Sequence, residues 1–168
     1  MVLHFAEEGA RVVLTGRTEE VGRALEQQAI EQGGDAMFLA ADVLDREQLE
    51  RAYEKIMEHY GRIDVLINGA GGNMAGATIA PDKTIFDLSM EAFRGVVDLN
   101  LFGTVLPTMI FAQAMVAQGG GSIINIASES ALRPLTRVAG YGTAKAAVVN
   151  FTKYLCGELA SKYGDGFR

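Results

Sequence analysis

Short apolar runs alternate with amphipathic stretches along the whole chain, and this alternation limits the fold more than any single residue does. Val12-Val13-Leu14, Ala36 to Ala40, Ile63 to Ile67 and Ile123 to Ile126 read as short buried strands bounded by glycine or polar residues. Between them, Glu19 to Gln32, Arg46 to Tyr60 and Met90 to Gln118 carry helical periodicity. The first of these turns Val21, Leu25 and Ile30 inward and stops at Gly33-Gly34, and the second gathers Leu49, Tyr53, Ile56 and Met57 on one face and stops at Gly61. Strands alternating with helices in this way predict an α/β fold, a doubly wound parallel sheet covered by helices through right-handed crossovers. No repeat, low-complexity segment or linker interrupts the pattern, so residues 1–168 are expected to form a single domain.

The stretch from Met90 to Gln118 is apolar over more than one stripe and contains Pro107, which removes a backbone donor and predicts a kink or tilt. The segment after Tyr141 is similarly rich in small and apolar residues, among them Ala146, Val148, Phe151 and Leu155. Two helices too apolar for one buried face fit either burial against the parent sheet or a partner subunit.

A net charge of -6 disfavours nucleic acid and anionic membrane as partners, because both call for a basic surface. The single Cys156 excludes an internal disulfide framework and fits a reducing compartment. No run approaches 18 apolar residues, and the N-terminus has neither a basic region nor an apolar leader core. The expectation is a soluble cytoplasmic protein with a small-molecule substrate.

Chemistry concentrates late in the chain. Tyr141 and Lys145 stand four apart, a spacing that puts both on one helix face, and Ser128 lies thirteen residues before Tyr141 at the end of an apolar strand. An ammonium beside a phenol favours the phenolate, so the three side chains suit proton transfer to or from a substrate oxygen. The alternative is a surface lysine lying along a half-buried tyrosine. Small neighbours, Gly140, Gly142, Ala144, Ala146 and Ala147, leave room for another backbone or a flat cofactor.

This pattern resembles the short-chain dehydrogenase/reductase family, whose catalytic Ser, Tyr and Lys fall at these intervals. The resemblance implies a Rossmann-like sheet, with Asn100, Ser128, Tyr141 and Lys145 as the catalytic set and Asn100 holding a water that relays protons to Lys145. For Asn100 the alternative is a core amide bonded to backbone. Asn68-Gly69-Ala70-Gly71 resembles the family's Asn-Asn-Ala-Gly segment, which places Asn68 and Ala70 beside the cofactor, and Asp42-Val43 matches the pair that contacts the adenine ring. After the first strand, Gly16 occupies the slot where NAD users carry an acidic residue, and Arg17 stands beside it. A guanidinium suits a 2′-phosphate, so NADP(H) is favoured over NAD(H). Tyr141 and Lys145 complete the implied cofactor contacts.

The Gly-rich turn that would cradle a pyrophosphate does not occur between a first strand and first helix. The chain opens on what reads as the last turns of a helix ending at Gly9, and closes on a helix exit at Tyr163-Gly164. Set against the family, this predicts an internal fragment without the first strand and the C-terminal strands, with apolar strand edges left open.

Substrate candidates are Asn73, in the long connection from Gly72 to Leu88, together with Ser128, Glu129 and the pair Arg133 and Arg137 in the Ser-to-Tyr loop. Arginine recognises carboxylates through two parallel hydrogen bonds. Gly71-Gly72-Asn73-Met74, Thr84-Ile85-Phe86-Asp87-Leu88 and Arg133-Pro134-Leu135-Thr136-Arg137 together resemble the sugar-acid branch of the family, of the D-mannonate oxidoreductase or fructuronate reductase type. That resemblance implies hydride exchange between NADP(H) or NAD(H) and a keto-uronate or aldonate, in a homo-oligomer built on the helices around 90–118 and 142–162. The competing readings are an inactive nucleotide-binding or assembly subunit and a sugar-nucleotide epimerase. No set of residues suggests a metal site.

Overall fold

A computed structural model describes residues 1–168, and their contacts gather into two units, Met1–Gly61 and Arg62–Arg168. The strands form two two-stranded parallel sheets, one in each unit, rather than one continuous ladder.

In the first unit the order is α1 (Val2–Glu7), β1 (Arg11–Gly16), α2 (Glu19–Glu31), β2 (Asp35–Ala40) and α3 (Arg46–Tyr60). β1 and β2 run parallel with Val12 opposite Ala36 and Leu14 opposite Phe38. Small residues let the layers close up: Ala6, Ala29 and Ala36 form a buried cluster with Leu3 and Val12 packed against it. The face of α2 differs from the expected one. Val21 and Ile30 are exposed, and Gly22 and Ala29 are the buried positions. Gly22 lies directly under the Phe38 ring, where any Cβ would overlap the aromatic carbons, so the large ring takes the place that a periodic Val21 or Ile30 would fill. α3 follows its predicted face, with Leu49, Ala52 and Ile56 buried. Asp45 caps it by accepting from the Gln48 backbone N–H at 3.0 Å, and that bond holds the Asp45 carboxyl below its usual range. Gly61 ends it in the left-handed conformation, with φ 71°.

In the second unit β3 (Val65–Asn68) leads through a connection with two short 3-10 turns into α4 (Met90–Val97). A π-helical segment, Asp98–Phe102, joins α4 to α5 (Gly103–Gln118); then come β4 (Ser122–Asn125), a 3-10 turn at Glu129–Ala131 and α6 (Ala139–Tyr163). β3 and β4 pair in parallel, Asn68 opposite Asn125. Phe167 forms a parallel bridge to Gly121, and Ile123 N–H donates to the Arg168 carbonyl at 2.8 Å, so the last residues lie alongside the start of β4.

Pro107 sits inside α5, but the irregular turn of the long helix is the π segment that precedes it. Met90–Gln118 is long and apolar enough by length and composition to cross a membrane, yet half of its most apolar window is buried inside the unit. α5 buries Ile110, Phe111, Ala114 and Met115 on several sides, which is the burial alternative for its all-round apolar surface. α6 packs on α4 through Gly140, where a Cβ would stand 3.1 Å from the Phe93 ring. Apolar strand residues remain exposed, Val65 and Ile124 among them.

Candidate active site

Asn68 ends β3, and its side chain spans three elements. Its Nδ2 donates to Asn125 Oδ1 on β4 at 2.8 Å and to Thr108 Oγ1 on α5 at 2.9 Å. Asn125 donates onward to Thr152 Oγ1 of α6 at 2.9 Å. A β3–β4 register that sets the two asparagines opposite each other makes this possible, and the bonds draw both helices onto the C-terminal ends of the strands.

Asn100, wholly buried in the π segment, clamps the backbone that follows β3. Its Nδ2 donates to the Gly72 carbonyl at 2.7 Å and the Val96 carbonyl at 2.8 Å, while its Oδ1 accepts from Gly72 N–H at 3.0 Å. The amide is therefore spent on backbone. The Asn100 carbonyl accepts from Thr104 Oγ1 at 3.0 Å, and the Thr104 carbonyl from Thr108 Oγ1 at 2.8 Å. A rail of polar groups thus runs along one face of an otherwise apolar helix.

Lys145 is buried on α6 with only 3% of its surface exposed. Its Nζ donates to the Ile126 carbonyl, just past β4, at 2.6 Å and lies 5.8 Å from the centre of the Tyr141 ring. Burial pushes its pKa below the ordinary lysine value. An ammonium has three donors, and one is used within the chain. Gly71 explains how the parts fit: a Cβ there would stand 2.7 Å from Asn100 Oδ1 and 3.3 Å from Lys145 Nζ, so only glycine lets this backbone pass both.

Ser128 caps the Glu129–Ala131 turn, its Oγ accepting from Ser130 N–H at 3.2 Å and from Ser130 Oγ at 2.9 Å. That turn packs on the start of α6, since a Cβ on Gly142 would stand 3.3 Å from the Ser130 carbonyl. Ser128 and Tyr141 each lie one residue or one bond from that contact. The Tyr141 hydroxyl makes no hydrogen bond within the chain and is half-buried.

The substrate candidates each have a partner within the chain. Arg133 Nε meets Glu129 Oε1 at 2.8 Å, both side chains well exposed. Asn73 Nδ2 donates to Thr78 Oγ1 at 2.5 Å, and Arg137 Nε donates to the Ile79 carbonyl at 2.5 Å. Ala70 is half-buried in the glycine-rich turn. In the first unit Arg17 Nη1 lies 3.8 Å from Asp42 Oδ2, Asp42 Oδ1 accepts from Leu44 N–H at 2.9 Å, and Val43 is half-buried.

Sequence reasoning missed Ser130, Thr104, Thr108, Asn125 and Thr152. The signal for two of them was present: Asn100, Thr104 and Thr108 stand four apart and share a face of an apolar helix. Ser130 and Thr152 carry no such pattern.

A family model described as short chain dehydrogenase matches residues 1–163. An uncharacterized oxidoreductase of Bacillus subtilis, UxuB, is 36% identical over 95% of the chain and 60% of its own length. A crystal structure from Haemophilus influenzae with bound NAD, provisionally assigned as a D-mannonate oxidoreductase, superposes with a TM-score of 0.91 at 34% identity, covering 99% of this chain and 62% of that one. Actinorhodin polyketide ketoreductase with NADPH superposes with a TM-score of 0.87 at 33% identity, over 97% of this chain and 60% of its own. The chain thus spans about 60% of the length of these relatives.

Proposed function

Since the chain belongs to the short-chain dehydrogenase family, we propose that it serves an NAD(P)-dependent oxidoreductase that interconverts a carbonyl and a secondary alcohol, the substrate being a sugar acid of the keto-uronate and aldonate kind, such as fructuronate and mannonate. The observation that carries this reading is the buried Lys145, bonded to the Ile126 carbonyl at 2.6 Å and set beside a Tyr141 whose hydroxyl is uncommitted. A buried ammonium with two donors unspent fits a ribose diol, so the donor chemistry suits a dinucleotide. In the second unit Asn68, Ala70, Tyr141 and Lys145 would hold its nicotinamide-ribose part. Within the first unit, taken by itself, Asp42 and Val43 are candidates for binding an adenine and Arg17 for a 2′-phosphate. The bound nicotinamide supplies the hydride that reaches the substrate carbon.

The chain's own groups do the rest. Tyr141 gives its phenolic proton to the substrate oxygen, and Ser128 donates a hydrogen bond to that same oxygen. Ser130, bonded to Ser128 Oγ, holds the serine on its turn. The Lys145 ammonium, 5.8 Å from the centre of the Tyr141 ring, favours the phenolate left when that proton is given up, which solvent reprotonates, and it would steady the ribose. Asn100 works by fixing Gly72 and, with it, the wall beside Lys145, because both ends of its amide are engaged with backbone.

On the substrate side, Arg133 is the better carboxylate ligand, since its exposed pairing with Glu129 exchanges readily for a substrate acid. NADP(H) is the preferred cofactor on account of Arg17, though the Asp42 carboxylate at 3.8 Å competes for that guanidinium, and the Haemophilus structure carries NAD. An apolar ketone is the second reading, favoured by Phe86 and Leu132, which are 95% and 78% exposed on the connections near the site. Assembly into a dimer or tetramer through helices 90–118 and 142–162 draws support from the exposed Met109 and Tyr154; sedimentation at one protomer mass would overturn it.

The test is cofactor oxidation, with NADPH and with NADH, against keto-uronates and apolar ketones. Tyr141→Phe is expected to lose at least about a hundredfold in rate, the usual contribution of a positioned proton donor. A Tyr141→Phe chain as active as the native one sinks the mechanism. Turnover confined to apolar ketones sinks the sugar-acid assignment, and a melting temperature unmoved by NADPH or NADH favours the inactive-subunit reading instead.

A further inference from the structure

Two segments of the second unit border the catalytic side chains: the connection from 72 to 88, and the stretch from Ser128 to Val138. Each is anchored at its base. Gly72 is held by Asn100 through both its N–H and its carbonyl, and Ser128 is tied to Ser130, whose backbone packs on Gly142. Away from those bases, one residue from each segment joins the two. Ile79 N–H donates to the Arg137 carbonyl at 2.9 Å, and Arg137 Nε donates back to the Ile79 carbonyl at 2.5 Å. A reciprocal pair between positions 58 apart in sequence closes the two segments into a ring.

Arg137 makes this contact from an uncommon backbone. It is the one non-glycine residue with positive φ, at 71°. That region favours glycine, and an arginine there is strained. Glycine would reach the same backbone without strain but would leave the Ile79 carbonyl without the bond from Arg137 Nε. The strained arginine is the residue that supplies both halves of the contact.

We propose that Arg137 is a positioning residue that clasps the two segments bordering the substrate, and so acts on every substrate alike rather than by binding a substrate carboxylate. The inference rests on the oxidoreductase reading for its kinetic consequence, but not for its structural one. Its guanidinium faces a backbone carbonyl, and its backbone geometry serves the same partner. Arg133, four residues earlier, is left as the arginine that can take an acid.

Two measurements on the full chain test it. Amide hydrogen exchange reads the clasp without any turnover: in Arg137→Gly, which keeps the left-handed backbone and removes the guanidinium, Ile79 N–H is expected to exchange about tenfold faster, with α5 amides unchanged. Unchanged exchange at Ile79 overturns the proposal. Kinetics with a keto-acid and a neutral ketone reads the consequence: the KM values for both are expected to rise together in Arg137→Gly. A rise for the acid alone, restored by Arg137→Lys, overturns the proposal in favour of carboxylate binding. If native chain turns over neither substrate, the oxidoreductase reading fails, while exchange at Ile79 still decides the clasp.

Discussion

The two units bury different things. All six buried polar side chains, Asn68, Asn100, Thr104, Thr108, Ser130 and Lys145, belong to the second unit, and the first has none. In the first unit most charges stay in water, as in the helical pairs Arg23 with Glu19, Arg46 with Glu50 and Arg51 with Glu47. Such exposed pairs contribute little to stability. Its interior is mostly alanine and leucine around one phenylalanine ring. The second unit instead takes amides, hydroxyls and an ammonium out of water and satisfies each of them, leaving no buried side-chain donor or acceptor without a partner. Burying polar groups costs free energy that apolar packing of the same volume would not cost. The contrast teaches where this chain accepts that cost, and it is where the proposed chemistry lies.

Three substitutions press on this contrast. The largest effect is expected from Asn100→Leu, which strips partners from the Gly72 N–H and carbonyl and from the Val96 carbonyl. Urea unfolding should show a loss of about 3 kcal/mol, and a loss below about 1 kcal/mol would mean that the polar clamp is dispensable. Next, Gly22→Leu drives a side chain into the Phe38 ring. A loss of about 2 kcal/mol is expected, by overpacking of an apolar interface rather than by stranding polar groups. A neutral result would place the Phe38 ring elsewhere.

The smallest effect concerns Tyr60, whose hydroxyl donates to Asp35 Oδ1 at 2.8 Å. Its phenol is pushed up to about 12, by burial first and by the Asp35 bond second. The folded state thus keeps a proton that the unfolded chain releases at the ordinary value of about 10, so stability is full below about pH 10 and declines as pH rises toward 12. Tyr60→Phe should cost at most about 1 kcal/mol at neutral pH and should flatten the alkaline decline. Equal slopes for native and variant chains above about pH 10 would assign the decline to other groups.

Legibility followed the same division. Helix and strand positions of the first unit were readable because apolar spacing and stop signals such as Gly61 act locally, and α3 begins and ends where its pattern says. The burial face of α2 was not readable, because the choice of Gly22 over Val21 depends on a ring sixteen residues later. In the second unit the Ser128, Tyr141 and Lys145 spacing was visible at once, while Thr152 was invisible because its partner Asn125 lies on another element, and Ser130 because its place is set by packing against Gly142 of α6. Arg133 and Arg137 looked equivalent in sequence. Only the backbone of Arg137, at φ 71°, and its bonds to Ile79 separate them.

By itself the amino-acid sequence determined the element order, the α/β class and the family, since these rest on periodicity and on residues a few positions apart. Tertiary structure alone decided that the Asn100 amide is spent on Gly72 and Val96, that Lys145 is buried with one bond to Ile126, and that Arg137 faces Ile79. The reason is physical. Propensity and pattern act over a turn of helix, whereas a buried polar group takes whichever partner the packing brings within hydrogen-bond reach, and that partner is 28 residues away for Asn100 and 58 for Arg137.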